Sequence, residues 1–224
     1  MTERQHRGMR NWPLTGLRVT TPRLELRLPS LDDLDQLADR AAEGVHDPGT
    51  MPFIVPWSDA GPEERARRTV QYHFSLWSSW SPAEWTCAFA VLFEGEVVGT
   101  QAIAATDFAV TREITSGSWL GRRFHGRGIG TEMRAAVLHL AFEGLGARYA
   151  TSGAFVDNHA SLAVSRKFGY ADDGVQIHNR QGEPVTTLRL RLSRDDWAGG
   201  LGFKIHGLEP CLPLFGVAPT SPDR

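Results

Sequence analysis

The chain has 224 residues, with 24 basic and 26 acidic side chains and a formal charge of −2. At 41% hydrophobic and 22% charged it has the make-up of a globular domain long enough to bury a core without staples, and the charge offers no whole-protein attraction for nucleic acid. No run approaches 18 apolar residues, the N-terminus "MTERQHRGMRNWP" has no apolar stretch of a secretory signal, and Cys87 and Cys211 match no metal or redox spacing. A reducing, cytoplasmic setting without a metal is the expectation.

Residues 1–16 are polar and read as a flexible arm. In "TTPRLELRLPS" (20–30), Leu24, Leu26 and Leu28 alternate with charges, as in a half-buried strand. Ser30 is placed to cap a helix carrying Leu31, Leu34, Leu37 and Ala38. Residues 46–62 hold too many Pro and Gly for an element, and Pro62 opens a second helix. "WTCAFAVLFEGEVVGTQAIAA" (85–105) predicts two strands joined at Glu94-Gly95. A further strand spans 112–120, where Gly117 suggests a bulge or a close backbone approach.

A helix from about Gly128 to Glu143 follows, with Ile129, Met133, Ala136, Val137, Leu140 and Ala141 at helical spacing. Then come a strand at 147–156, a short helix at 158–168 and a hairpin at 173–193 turning at Gln181-Gly182. This order predicts a mixed α+β domain over 17–198 with one crossover helix, and a Pro/Gly-rich tail over 199–224, partly docked through "CLPLF".

"HGRGIGTEMRAA" (125–136) sets three glycines against the start of the crossover helix. A helix start offers unpaired N–H groups and partial positive charge, and glycine lets an anion come close, so the segment reads as a phosphate site. A Walker A loop fails because Arg127-Gly128 stands where Lys-Ser/Thr is needed, and the dinucleotide fingerprint fails on its glycine spacing. Purely structural glycines are the plain alternative. Asn158 also reads as a helix N-cap, Ser161 as a solvent-facing residue, and His139 as a packed or surface histidine; no zinc spacing occurs.

His125-Gly126-Arg127-Gly128-Ile129-Gly130 resembles the pyrophosphate loop of the GCN5-related N-acetyltransferases (GNAT), Arg/Gln-x-x-Gly-x-Gly/Ala, with His125 in the first place. "GSWLG" resembles the end of that family's fourth strand, "NHASLAVSRKFGY" its next signature, and "TTPRLELR" the branch that acetylates ribosomal-protein N-termini. "EGVHDPGTMPFIVPW", "SGSWLG", "GTEMRAAVLHLAF" and "PLFG" are similar to an actinobacterial succinyl-CoA-binding subgroup.

The resemblance implies a GNAT fold: about six to seven strands, splayed in the middle, with about four helices. It implies transfer of an acetyl or succinyl group from CoA to an amine by direct attack; an acyl-CoA carrier or sensor is the rival reading. Expected to bind the cofactor are Trp119, Leu120, His125, Gly126, Arg127, Gly128, Ile129, Gly130, Thr131, Asn158 and Ser161, with Arg122 or Arg123 adding charge. The N–H of Leu120 would polarise the thioester, Ser161 would protonate the leaving thiolate, and Glu113 is the candidate base. Ser165 stands where other members carry an acidic Tyr, and Thr115 and Ser118 replace the Glu and Tyr of the ribosomal branch. His46, Met51, Phe53 and Ser118 would line the substrate end, beside Trp57. The acceptor is an amine of a protein N-terminus, a lysine or a small molecule, and a homo-oligomer is possible. At pH 7 an α-amine is about 10% neutral and a lysine about 0.04%, so the former needs less help from a base.

Overall fold

The computed structural model describes residues 8–200 and 202–218; the first seven residues of the arm expected over 1–16, and the tail end over 219–224, lie outside the described residues. Nine strands form one sheet among the described residues: β1 (Arg18–Thr20), β2 (Leu24–Arg27), β3 (Glu84–Phe93), β4 (Glu96–Thr106), β5 (Glu113–Leu120), β6 (Tyr149–Phe155), β7 (Ala171–Arg180), β8 (Glu183–Ser193) and β9 (Lys204–His206). Their order is β7-β8-β6-β5-β4-β3-β2-β1-β9. Only β5 and β6 pair in parallel, joined by the crossover helix α4 (Ile129–His139). The other helices are α1 (Leu31–Glu43), α2 (Pro62–Ser78), the four-residue α3 (Phe108–Thr111) and α5 (His159–Lys167).

The α+β GNAT architecture is as expected, but with nine strands instead of six to seven. The additions, β1 and β9, have three residues each, too few for an alternation to register. They pair with each other at the sheet edge, Val19 opposite Ile205. The segment beyond residue 199 thus supplies a strand, and a 3-10 helix (Glu209–Phe215) buries Cys211 and Phe215 in the core. At the other terminus a 3-10 helix (Pro13–Gly16) buries Leu14.

Local chemistry sets the element ends. Ser30 Oγ accepts from the Asp33 N–H (3.1 Å) and Asp33 returns a bond to the Ser30 N–H (2.9 Å), a capping box. Glu94 and Gly95 both take positive φ in the β3–β4 turn, as a two-residue hairpin requires. The crossover helix widens into a π turn over Leu140–Gly144, then ends at Gly146.

One face of the sheet is covered by α4: Ile129, Met133, Ala136, Val137 and Leu140 are all buried, among Leu26, Phe89 and Ile114 of the strands and Phe215. Helix α1 covers part of the other face, its Leu34 and Leu37 packing on Ala90, Leu92 and Val97, with Val70 and Trp77 of α2 alongside. On this face α1 and α2 pack against β3 and β4.

Gly117 forms neither bulge nor close approach. The β4–β5 register runs unbroken from Gly99 opposite Leu120 to Ala104 opposite Thr115, and a Cβ at Gly117 would meet nothing within 4 Å. The irregularity lies on the opposite edge of β5. Its pairing with β6 ends at Thr115 opposite Thr151, while β6 continues with β8 as far as Phe155 opposite Thr187. The two strands fork from Ser116 onward.

Candidate active site

The fork presents main-chain groups with no strand to receive them. Gly121 N–H donates to Val98 O at 2.9 Å, which fixes the alternation along β5. Trp119 and Gly117 therefore turn their N–H and C=O toward β4, and Ser118 and Leu120 turn theirs into the fork. Both face the place where a linear chain could add as a missing strand.

At the end of β5 the chain passes a 3-10 turn (Arg122–Phe124) into the glycine loop. Gly126 (φ 73°) and Gly128 (φ 76°) sit in the left-handed region on either side of Arg127, an alternation that aims successive N–H groups at one point. Gly128 is the N-cap of α4 and no side chain caps it. The first intrahelical bond is Glu132 N–H to Gly128 O (3.1 Å), so the N–H groups of Ile129, Gly130 and Thr131 point out of the helix unclaimed by it. The Ile129 side chain is buried, leaving its N–H as its contribution. Gly130 has a different reason: its Cβ would lie 3.7 Å from Leu120 Cδ1, where α4 crosses β5.

The structure divides the loop cations by their partners. Arg123 is paired with Glu96 and with Glu43 (3.7 Å), and Arg122 approaches Asp47 at 3.9 Å. Arg127 has no carboxylate partner among the described residues; its guanidinium lies over the Phe93 ring, 4.8 Å from the centroid. His125 faces inward: its N–H donates to Arg122 O (3.1 Å) and its Nε2 lies 3.1 Å from Leu120 O. It ties the loop to the strand and is turned away from the N–H groups of the helix start.

A brace outside the motif holds the cradle. Glu132 accepts from Thr21 Oγ1 (2.6 Å) and from Arg23 Nε (2.6 Å), and Arg23 Nη1 donates to Arg127 O (3.2 Å). The acidic residue in the first turn of α4 suits the helix dipole. The glycine pattern carries no sign of this brace, because Thr21 and Arg23 lie over 100 positions away in sequence.

Across the fork, Asn158 Oδ1 accepts from the Ser161 N–H (3.2 Å), so Asn158 is the N-cap of α5. The Ser161 side chain is half-buried and makes no hydrogen bond among the described residues. Ser165 is fully buried with an unpartnered hydroxyl.

The 46–57 loop stands over the second face. His46, Phe53, Trp57 and Trp119 form a chain of ring contacts, with centroid separations of 6.0, 5.2 and 5.7 Å. His46 is spent on the loop itself, Nε2 on Ser58 Oγ (2.8 Å) and Nδ1 on Asp47 O (3.0 Å). Buried Met51 gives its carbonyl to Arg180 Nη1 (3.3 Å), and Gln181 bonds Asp59. The β7–β8 tip is thereby strapped to this loop, while Arg180 forks onto Asp157 (3.2 and 2.8 Å) and holds its carboxyl below the usual range. Residue spacing alone does not bring Arg180 or Asp157 to this site; the hairpin register does.

Glu113 is separated from the group. It begins β5 and Leu120 ends it, roughly 23 Å away at ~3.3 Å per residue. Its carboxylate is paired with Arg191 at 2.7 Å, beside a depression of about 280 Å³ that Thr86, Thr115 and Thr151 also line. Ser118 shares the fork with Leu120. Among the described residues no cluster of His, Cys, Asp and Glu could hold a metal ion, and no helix is long and apolar enough to cross a membrane.

A forked sheet beside an uncapped helix start with left-handed glycines defines the class: an acyltransferase scaffold. The acetyltransferase (GNAT) domain family matches residues 23–171, and the chain belongs to that family. The fold is similar to that of a GCN5-related N-acetyltransferase from Brucella melitensis, at 21% identity and TM-score 0.63 over 80% of each chain. RimL, a ribosomal L7/L12 alpha-N-protein acetyltransferase solved with coenzyme A, is 19% identical at TM-score 0.62, over 79% of this chain and 97% of that one. The microcin C7 self-immunity acetyltransferase MccE, solved with acetyl-CoA and AMP, is 14% identical at TM-score 0.59, over 77% and 93%.

Proposed function

We propose that the protein transfers an acetyl group from acetyl-CoA to the α-amine of a peptide or small molecule, by direct attack within a ternary complex. The observation that carries this reading is the unclaimed row of N–H groups at Ile129, Gly130 and Thr131, continuous with the fork edge at Leu120 and Ser118. The diphosphate takes the helix start, with Arg127 the cation free to join it. The pantetheine arm adds along β5, and the thioester oxygen meets the Leu120 N–H; such donors are usually the largest catalytic contribution. Ser161, its hydroxyl free at the mouth of α5, delivers the proton to the departing sulfur.

Glu113 is too distant and too firmly paired to act as base, which supports an α-amine, already partly neutral at pH 7, over a lysine. RimL and MccE, solved in complex with coenzyme A and with acetyl-CoA, support the donor class, and RimL's ribosomal-protein substrate supports a protein N-terminus. The succinyl donor implied by the actinobacterial resemblance needs a cation at the acyl end. At the 46–57 loop the candidates are committed, His46 to Ser58 and Arg180 to Asp157, so we assign acetyl. Calorimetry with acetyl-CoA and succinyl-CoA, followed by thiol release with a panel of amines, tests this. Tighter acetyl-CoA binding and turnover with α-amines are expected. Binding without turnover for every amine would replace the transferase by a carrier or sensor.

A further inference from the structure

One edge of the sheet carries exposed apolar side chains. β7 is the outermost strand and pairs only with β8. Alternation fixes which of its main-chain groups face outward. Val156 N–H donates to Thr186 O (3.1 Å), so Thr186 turns its groups toward β6, and its neighbours Val185 and Thr187 turn theirs toward β7. His178 and Gln176, opposite those two, take up the bonds. Val175, Ile177 and Asn179 therefore present their N–H and C=O to the outer edge, where no backbone receives them among the described residues. The side chains follow the same register. Val175 lies opposite Leu188, and Leu188 opposite Ala154, which is buried in the core under α4, so Val175 and Ile177 project on the α4 face. Both are 62% exposed. Edge strands are ordinarily blunted by charge, by Pro or by a covering segment, and the middle of β7 has none of these.

We infer that β7 is the interface of a homodimer, paired antiparallel with β7 of a second copy about a two-fold axis at Gln176. In this register Val175 of each copy lies opposite Ile177 of the other. Both residues offer edge groups, so the two pairs exchange about four main-chain hydrogen bonds, and the four apolar side chains close on one another on the α4 face. Gln176, whose own groups face β8, meets its copy at the close spacing of a non-hydrogen-bonded pair. Gly174, in the bulge between Asp172 and Val175, puts no side chain in the way of the other copy's His178. Centring the pair on Ile177 would instead set Val175 against Asn179, and centring it on Val175 would set Ile177 against Asp173. Charge agrees with the antiparallel sense. Asp172 and Asp173 begin β7 and Arg180 ends it, so each copy's acids come beside the other's cation, whereas parallel pairing would stack like on like. The far edge of the sheet is β9, with three residues and an exposed Lys204, too short to receive β7. Each copy thus brings one such edge, and the pairing closes at two chains instead of growing into a fibre.

Sedimentation equilibrium on the full chain tests this, without coenzyme A and so apart from the transferase reading. The wild type should run at twice the chain mass at micromolar concentration. Val175→Lys and Ile177→Lys each set a charge against an apolar partner and should weaken association about 100-fold or more. Both positions are exposed in the single chain, so circular dichroism of the variants should match the wild type. Val110→Lys, at an exposed valine of α3, should leave the dimer intact. Gln176→Cys reads the register. On the axis its two Cα atoms lie about 4.5 Å apart, within disulfide reach, so mild oxidation should link the chains. Val175→Cys or Ile177→Cys alone faces the unlike residue and should link far less. Cys87 and Cys211 are buried and should give no link in the wild type. A monomer throughout the micromolar range overturns the inference. So does a dimer that keeps its affinity in both lysine variants, or one in which Gln176→Cys links no faster than Val175→Cys.

Discussion

The Nε2 of His125 lies 3.1 Å from the carbonyl oxygen of Leu120, and this one contact closes the glycine loop back onto the strand it leaves. The same Leu120 presents its N–H to the fork and packs its side chain against the site of Gly130. The histidine thus holds the cradle and the strand edge at a fixed separation.

His125→Ala should raise the KM for acetyl-CoA about fivefold with kcat within twofold, the loss of one partly buried hydrogen bond worth ~1 kcal/mol. His125→Gln should restore most of it, since an amide can donate to the same carbonyl. A fall in kcat with unchanged KM would contradict a positioning role.

Gly128 and Gly130 should respond oppositely to alanine. At Gly128 (φ 76°) the left-handed backbone costs an alanine about 1–2 kcal/mol, and its Cβ would crowd Arg23 Nη2 at 3.4 Å. Gly128→Ala should lower the Tm by several degrees and weaken CoA binding more than tenfold. At Gly130 the added Cβ finds ordinary contact within a helix, so Gly130→Ala should hold or raise stability, by up to ~1 kcal/mol. Thermal melts and calorimetry on both variants check this; equal losses would count against the glycine assignments.

His73 should make the fold acid-sensitive. Burial in α2 pushes its pKa down to about 4, and its Nδ1 has no partner. The folded value lies below the unfolded ~6.5, so between those pH values the unfolded chain binds a proton the folded chain refuses. The stability contributed by neutral His73 is complete above pH 6.5 and is lost as pH falls toward 4, by up to ~3 kcal/mol. Urea unfolding at pH 7 and pH 5 should show a larger drop for the wild type than for His73→Leu. Equal drops would mean His73 titrates normally.

Phe215 should be among the costliest side chains to truncate. Its ring meets Trp85 at 4.8 Å and Trp80 at 5.4 Å, and Trp80 Nε1 donates to Leu214 O at 2.9 Å. Phe215→Ala should cost about 3–5 kcal/mol, read from denaturant midpoints at unchanged m. A loss under ~1 kcal/mol would show that the segment is only loosely applied.

The long elements and the glycine turns before α4 are legible in the sequence, because both rest on local chemistry. Apolar spacing placed α4 and its buried row from Ile129 to Leu140, Ser30 and Asn158 marked their helix starts, and the glycines declared a backbone that side chains rarely adopt. The remainder depends on how the strands pair and pack. Gly117 suggests a bulge or a close backbone approach, yet the fork arises from β6 leaving β5 after Thr151, a matter of which strands pair beyond it. Glu113 looked like a base, yet strand length carries it away from Leu120 and Arg191 claims it. Thr21 and Arg23 brace Glu132, and Arg180 meets Met51. A hydrophobic period reports one element against an average interior, whereas a polar side chain's role depends on which distant partner the packed chain brings to it, or withholds.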